Sequence, residues 1–476
     1  MAIYFNKTKI LATVGPACNS KEKLLELARA GTDIFRLNFS HGTHEEHRQV
    51  VDQIRAINKE YNLNLAILQD LQGPKIRVGE VEKGEVMLET GKKLIITTKP
   101  EVGTAKRVST TYQALPKDVK IGDRILMDDG KISLEVVEVA GNEVTTKIIF
   151  GGVLKSKKGI NLPYTNISSP SLTEKDTEDL MFGLENDVEW IALSFVRSQI
   201  DILLLKHLIR QKNKTCKVVA KLEKPEAIQN LDEIIAVSDA LMVARGDLGV
   251  EIGMEEVPMV QKLIVKKCNA AAKPVIIATQ MMESMITNPG PTRAETNDVA
   301  NAVLDGADTL MLSAETAIGL YPRLVIEEMR KTIQIAEEKA DSIYQKNLKS
   351  EQKSPTHYND RVIAAACSLV EDVEASAVIG MTSSGYTAFR VASHRPRCNI
   401  FIFTSNRQLV SQMSLVWGIR AFYYDRFEST DDTFQDVQRF LMDKGLIDKG
   451  DRIINLASMP ISKKQRTNVI KFSVVE

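Results

Sequence analysis

Short apolar runs alternate with longer amphipathic stretches along most of the chain. Eight runs read as strands: KILATVG (9–15), DIFRLN (33–38), NLAILQD (64–70), WIALSF (190–195), KVVAKLE (217–223), ALMVARG (240–246), PVIIATQ (274–280) and TLMLSA (309–314). Each is continuously hydrophobic rather than alternating, the pattern of a parallel strand buried on both faces. Helical stretches follow most of them. Asn19 and Glu22 have capping-box spacing ahead of KLLELARA, and Thr43 and Glu46 ahead of HRQVVDQIRAINKE. Eight strand–helix units predict an α/β fold of the (β/α)8 TIM-barrel type.

One interval breaks the rhythm. The third strand ends near Asp70, and the next helix signal is Thr173–Asp176. The residues between are rich in Gly, Lys, Val and Thr, with short alternating runs such as GKKLIITT and ISLEVVEV. They predict an inserted antiparallel β-barrel domain over 71–164, placed as a lid on a barrel loop. The barrel itself then takes 1–70 and 165–340. Beyond it, KNLKSEQKSPTHYND reads as a polar linker. Residues 341–476 carry helices (DRVIAAACSLVEDV, TDDTFQDVQRFLMDKG) and strands (ASAVIGM, NIFIFTS, DRIINLA) of a C-terminal α/β domain.

Composition narrows the chemistry. Lys+Arg and Asp+Glu both number 62 in 476 residues, and a neutral chain lacks the basic excess that nucleic-acid backbone binding needs. Five scattered cysteines, none in a Cys-x-x-Cys pair, argue for a reducing compartment and against a zinc ribbon. The N-terminus MAIYFNKTKI places lysines where a signal peptide would be apolar. No apolar run approaches the roughly 18 residues of a membrane helix. A cytoplasmic protein without a membrane partner is expected.

Catalytic groups of such barrels come from the C-terminal ends of the strands. Those ends carry Arg36, Asn38 and Ser40; Asp70, with Arg77 beyond; Ser194 and Arg197; Lys221 and Glu223; Arg245 and Asp247; Thr279; Ser313 and Glu315. Charge recurs at one face, end after end. Glu223 and Asp247 lie at the ends of neighbouring strands, and two hard carboxylates with open positions for water and substrate suit Mg2+ or Mn2+. Glycines flank Asp247, so Gly246 lets the backbone approach a ligand closely. Lys221 lies two residues before Glu223 and faces the same side of its strand. A lysine beside a carboxylate-held metal points to a phosphoryl group or an enolate, and Arg36 and Arg77 supply further phosphate donors. Thr279 offers a hydroxyl near the reacting carbon. His41, His44 and His47 are spaced like metal ligands, but a helix starting at Thr43 does not bring them together on one face. The methionines of QMMESM read as core filling.

At this point the motifs carry a resemblance. RLNFSHG (36–42), LQDLQGPKIRVG (68–79), SKKGINLP (156–163), KLEKPEAIQNLDEI (221–234), MVARGDLGVEI (242–252), ATQMMESM (278–285), PTRAE (291–295) and NAVLDGADTLMLSAETAIGLYP (301–322) resemble the pyruvate kinase family, in order and over nearly the whole chain. The resemblance implies phosphoryl transfer from phosphoenolpyruvate to ADP, giving pyruvate and ATP. It implies Glu223 and Asp247 as Mg2+ ligands, with Lys221 stabilising the phosphoryl group in transit and the enolate. Thr279 would stand beside the carbon that is protonated. Arg36, Asn38, His41, Arg77 and Lys158 would contact phosphates of nucleotide or substrate, with Ser194 supporting the same pocket. A second Mg2+ would arrive with ADP. A homotetramer is implied, PTRAE matching a segment used between subunits.

Two departures from the family pattern matter. Many members need K+, held by groups matching Asn38, Ser40, Asp70 and the carbonyl of Leu71. Leu71, Gln72, Lys75 and Val78 together resemble the K+-independent branch, in which an ammonium replaces the monovalent cation. Lys75 therefore predicts activity without K+. The second departure is regulatory. MTSSGYTAFR (381–390) resembles an effector-phosphate loop, with Thr382, Ser383, Ser384, Gly385 and Thr387 at a helix start. The partner loop, NLASMPISKKQRTNVIKF, lacks the family's glycines but has Lys463, Lys464 and Arg466. A sugar-monophosphate or nucleotide effector, or none, is expected in place of fructose-1,6-bisphosphate. Two rivals stand beside the kinase: an Mg2+-dependent aldolase or lyase, and a sugar-phosphate sensor with an inert barrel.

Overall fold

All eight apolar runs form parallel strands: β1 (Lys9–Thr13), β2 (Ile34–Asn38), β3 (Ala66–Asp70), β4 (Trp190–Leu193), β5 (Lys217–Leu222), β6 (Ala240–Ala244), β7 (Val275–Ala278) and β8 (Thr309–Leu312). In the computed structural model, which describes residues 5–165, 167–344, 354–426, 429–460 and 465–476, they close into a barrel in chain order, β8 pairing back onto β1. Their side chains are almost wholly buried. Leu11, Leu68, Trp190, Val219, Met242 and Ile276 fill the interior, and the alternate residues pack outward against the helices. This two-sided burial is why the runs are continuous.

Capping fixes where the helices begin, and hence where each loop at the barrel mouth ends. Thr43 and Glu46 form a reciprocal capping box ahead of His44–Tyr61, and Thr173 and Asp176 another ahead of Glu174–Glu185. The first helix departs from expectation. Its cap is Ser20, not Asn19, with the Ser20 hydroxyl accepting from the Lys23 amide ahead of Lys21–Ala30. The turn after β6 also differs from a strand running to Gly246, because Arg245–Ile252 is already helical.

Between β3 and β4 the chain forms a separate, mostly antiparallel body with its own apolar core around Leu94, Ile96, Ile125, Leu134, Val144 and Ile148. A six-stranded sheet runs in the order 160–161, 124–127, 132–140, 143–150, 93–97, 107–109, and strands 85–88 and 152–155 form a ribbon. One pair, Ile95 with Arg107, is parallel.

The C-terminal region is a five-stranded sheet in the order 419–423, 399–404, 377–381, 452–457, 469–474. The last strand is antiparallel. The sequence pattern shows neither edge strand, Ile419–Tyr423 or Val469–Val474, because their half-exposed residues blur the apolar signal. Residues 346–353 of the expected linker lie outside the described residues, and from His357 the remainder is helix. This region packs under the barrel, away from the mouth. Trp190 Nε1 donates to Gln412 O (3.1 Å), and Thr309 Oγ1 to Leu415 O (2.8 Å). The fully buried Arg395 pairs with Asp308 through Nη1 and Nη2, both at 3.1 Å.

Candidate active site

The mouth of the barrel is organised around one ammonium. Lys221, on β5, places Nζ 2.9 Å from Glu223 Oε1, 3.1 Å from Asp70 Oδ1 and 2.7 Å from Ser194 Oγ. Asp70 ends β3 and is also held by Arg36 of β2, whose Nε and Nη2 both reach Oδ2 at 2.7 Å. Arg36 Nη1 donates to Thr13 Oγ1 at 3.1 Å. Strand pairing sets this arrangement: Asn38 lies beside Asp70, which lies beside Ala192. Three strand ends, those of β2, β3 and β5, thus deliver two cations and two carboxylates to one buried patch, and the end of β4 adds the Ser194 hydroxyl.

Burial raises the cost of every charge here, so the pairing decides which forms persist. For Asp70, burial favours the neutral acid, but Lys221 and Arg36 outweigh it and hold the carboxyl below its ordinary range. For Lys221, burial disfavours the ammonium, yet Asp70 and Glu223 reverse that and push its pKa up. Glu223 is pushed up by burial, with Lys221 opposing and the like charge of Asp247 adding to the rise. Lys221 therefore stays charged, and an added cation would offset the burial and the like charge that weigh on Glu223.

Asp247 lies in the first turn of 245–252, on the loop after the neighbouring strand. The donor set fits Mg2+ or Mn2+. Glu223 and Asp247 repel one another, and no cluster of three or more His, Cys, Asp or Glu side chains suited to a metal occurs among the described residues. Such a site leaves most coordination positions to water and substrate oxygens, as Mg2+ prefers.

Thr279 has φ of 69°, and Gln280 follows at 53°. A β-branched residue in the left-handed region is a true outlier, held only by its surroundings. Here the Thr279 hydroxyl accepts from the Gly246 amide (2.8 Å) and donates to Ala278 O (2.6 Å). Arg245 braces the same turn through Thr279 O (2.7 Å) and Asp298 (2.8 Å). Arg245 is thus a brace rather than a ligand donor. Glu315 likewise accepts from the Ser313 and Met282 amides and is buried.

A second, more open group is positive. His41 is held below its ordinary pKa by burial and then by Arg77, Lys75 and Arg36, so three cations crowd this imidazole on one side of the mouth. Lys75 is exposed, and its stem passes over Gly159 of the inserted body. Arg77 Nη1 donates to Lys157 O at 3.0 Å. Lys158 is paired with Asp128 at 2.7 Å on the inserted body. Asn38 Oδ1 accepts from the Ser40 amide (3.2 Å), and Leu71 O accepts from Ser194 Oγ (2.7 Å). The three histidines do not converge. His44 bonds Asp179 (2.7 Å), while His47 stacks on Phe39 and bonds His41 O.

Four supporting residues have site roles that sequence spacing does not show. Asp176 uses its second oxygen to accept from the Gly73 amide at 3.0 Å. Lys224 and Glu251 form a buried pair at 2.9 Å that also takes Asn161. Phe195, at φ of 54°, donates its amide to Glu223 Oε2. Only the Asp176 spacing carried a signal, and it read as a cap.

At the C-terminal sheet, Thr382, Ser383, Ser384 and Thr387 line a pocket with Ser458 and Arg466 at the start of helix Tyr386–His394. Thr382 Oγ1 accepts from the Gly385 amide (2.9 Å), and Thr387 is tied to Thr467 (2.7 Å). Lys463 and Lys464 lie outside the described residues.

A parallel barrel whose mouth gathers a buried lysine, two carboxylates suited to a divalent cation and a basic flank beneath a second domain defines a barrel enzyme built for an anionic substrate. Comparison with known proteins gives the particular family. Residues 5–326 match the model for the pyruvate kinase barrel domain and 360–472 that for its alpha/beta domain. The chain is 41% identical to a pyruvate kinase of Geobacillus stearothermophilus over 474 residues, covering 98% of this chain and 80% of that one. It is 43% identical to one of Corynebacterium glutamicum over 464 residues, covering 98% and 96%. A crystal structure of a pyruvate kinase from Cryptosporidium parvum superposes with a TM-score of 0.92 at 33% identity, covering 99% of this chain and 96% of the other. The chain belongs to the pyruvate kinase family, whose members are phosphotransferases. Among the described residues no helix is long and apolar enough to cross a membrane.

Proposed function

We propose that this chain transfers the phosphoryl group of phosphoenolpyruvate to ADP, giving pyruvate and ATP as in the last step of glycolysis, and that it does so without K+. The observation that carries the reading is the Lys221 ammonium, buried between Asp70 and Glu223 and next to Arg36 at the barrel mouth.

The reaction breaks the bond between phosphorus and the enolate oxygen and forms one to a terminal oxygen of ADP. Charge spreads over the moving phosphoryl oxygens, so catalysis rests on positioning and fixed positive charge. Lys221 and Arg36 supply that charge, and their carboxylate partners keep them oriented before substrate arrives. The residual enolate takes a proton at its methylene carbon, on the side of Thr279, through ordered water. Glu223 and Asp247 would hold Mg2+ or Mn2+, which would supply Lewis-acid charge to an anionic substrate when bound. Asn38, Ser194 and Gly246 would complete the pocket; His41, Arg77 and Lys158 would meet nucleotide phosphates, Lys158 once it leaves Asp128. Ser40, Asp70 and the Leu71 carbonyl mark the monovalent-cation position, and Lys75 supplies the cation. The exposure of Lys75 and its influence on His41 support that role.

The pocket of Thr382, Ser383, Ser384, Gly385 and Thr387 would take a sugar monophosphate or nucleotide. The chain would work in the cytoplasm as a homotetramer. The test is pyruvate formation from phosphoenolpyruvate, ADP and Mg2+ in K+-free buffer, then with K+. Comparable rates support both parts of the proposal. Activity only with K+ keeps the kinase and removes the Lys75 argument. No activity in either, with carbon–carbon cleavage of a 2-oxo acid, moves the chain to the lyases.

A further inference from the structure

Two stretches of chain join the barrel to the inserted body, one leaving after Asp70 and one returning before Thr173. Both meet a single residue. Phe195 follows β4 with φ of 54°, a conformation that costs an ordinary side chain about 1 kcal/mol or more. Its amide donates to Glu223 Oε2 at 2.7 Å. Its carbonyl accepts from Ser171 Oγ, on the returning stretch, at 3.0 Å. Its ring lies against Gly73, on the outgoing stretch, so closely that a Cβ there would stand 2.8 Å from the ring edge. Gly73 is itself fixed in the left-handed region, with its amide on Asp176.

One residue therefore touches a proposed metal ligand and both connections. We propose that Phe195 is a positioning residue that couples the Glu223 carboxylate to the two connections of the inserted domain. This rests on the reading of Glu223 as a metal ligand. Both Glu223 oxygens are engaged, Oε1 by Lys221 and Oε2 by the Phe195 amide. Redistribution of charge on that carboxylate weakens its hold on the amide. The left-handed turn of Phe195 then relaxes, and its ring and carbonyl move with it. Close packing converts such a small shift into displacement of whatever the ring and carbonyl hold. Binding at Glu223 would thus report to both connections at once.

The test follows hydrogen exchange of 71–79 and 167–172 in the full chain, with and without Mn2+, and Mn2+ binding by electron paramagnetic resonance on the same samples. In the unaltered chain Mn2+ changes exchange in both stretches by about threefold or more. Ser171→Ala removes the response of 167–172 and leaves that of 71–79. Phe195→Leu, which keeps the amide and most of the volume, removes the response of 71–79. Phe195→Gly, which suits the positive φ, repeats that result if the leucine variant folds poorly. Mn2+ affinity in the alanine and leucine variants stays within about twofold, because neither change touches a metal oxygen. Mn2+ binding with no change at either connection overturns the coupling alone, as do variants that respond like the unaltered chain. Absence of Mn2+ binding overturns the metal reading and the coupling with it.

Discussion

Replacing Lys221 by methionine keeps the side-chain volume and removes the charge. Its Nζ lies 3.1 Å from Asp70 Oδ1 and 2.9 Å from Glu223 Oε1, all three side chains being largely buried. At an effective dielectric near 20, each contact amounts to about 5 kcal/mol of attraction. Most of that is offset by the desolvation of three charges, so the net loss on breaking the cluster is about 3–5 kcal/mol. The pH dependence then shifts further toward stability at low pH. In the unaltered chain Asp70 is held below its ordinary range, so its contribution is complete above about pH 4 and is lost as pH falls further. In Lys221→Met, Glu223 loses its cation, and its pKa, already raised by burial, rises again. A carboxyl with a raised folded-state pKa favours the fold at low pH, and that stability is lost as pH rises through the folded value. Urea unfolding followed by the fluorescence of the buried Trp190 and Trp417 should show a variant relatively more stable at about pH 5.5 than at about pH 7.5. Its kcat should fall by about 10²–10³, the usual loss on removing one fixed charge from a developing anion. An unchanged urea midpoint together with kcat within about threefold of the unaltered chain would refute the central place given to Lys221.

Three further outcomes are expected. Lys75→Glu should lower turnover in K+-free buffer by about tenfold or more and recover it with K+, because the built-in cation is gone and its place is open. His41, held down by burial and by Arg77, Lys75 and Arg36, should gain proton affinity when an anion covers those charges. Phosphoenolpyruvate or ADP should therefore bind more tightly as pH falls from about 6.5, and the His41 ring resonance should titrate at higher pH in the complex than in the free protein. Arg395→Ala leaves the buried Asp308 without its bidentate partner and should cost about 3–5 kcal/mol in denaturant unfolding, while KM changes little because the pair lies beneath the barrel, away from its mouth.

The barrel was legible because a parallel strand with both faces covered must be apolar along its whole length, whatever its neighbours are. All eight runs keep to this apart from a few polar residues such as Arg36, Gln69 and Lys221. Strands 419–423 and 469–474 do not, since a sheet edge has one open side and its residues are only half covered. At the mouth, the alternation of side chains along β5 put Lys221 and Glu223 on one face, and the geometry agrees. What sequence spacing could not supply is the second partner of a group that has two. Asp176 reads correctly as the far end of a capping box, with Oδ2 on Thr173. Its Oδ1 reaches the amide of Gly73, 103 residues away, and so fixes the turn that carries Leu71 and Lys75. Arg245 misleads in the opposite direction. Its place at a strand end suggests an anion donor, but Asp298 and the carbonyls of 278 and 279 already occupy it. Local pattern fixes which residues stand at the rim. Which of them face substrate and which face the chain depends on long-range closure, and that is set by loops whose sequence carries no period.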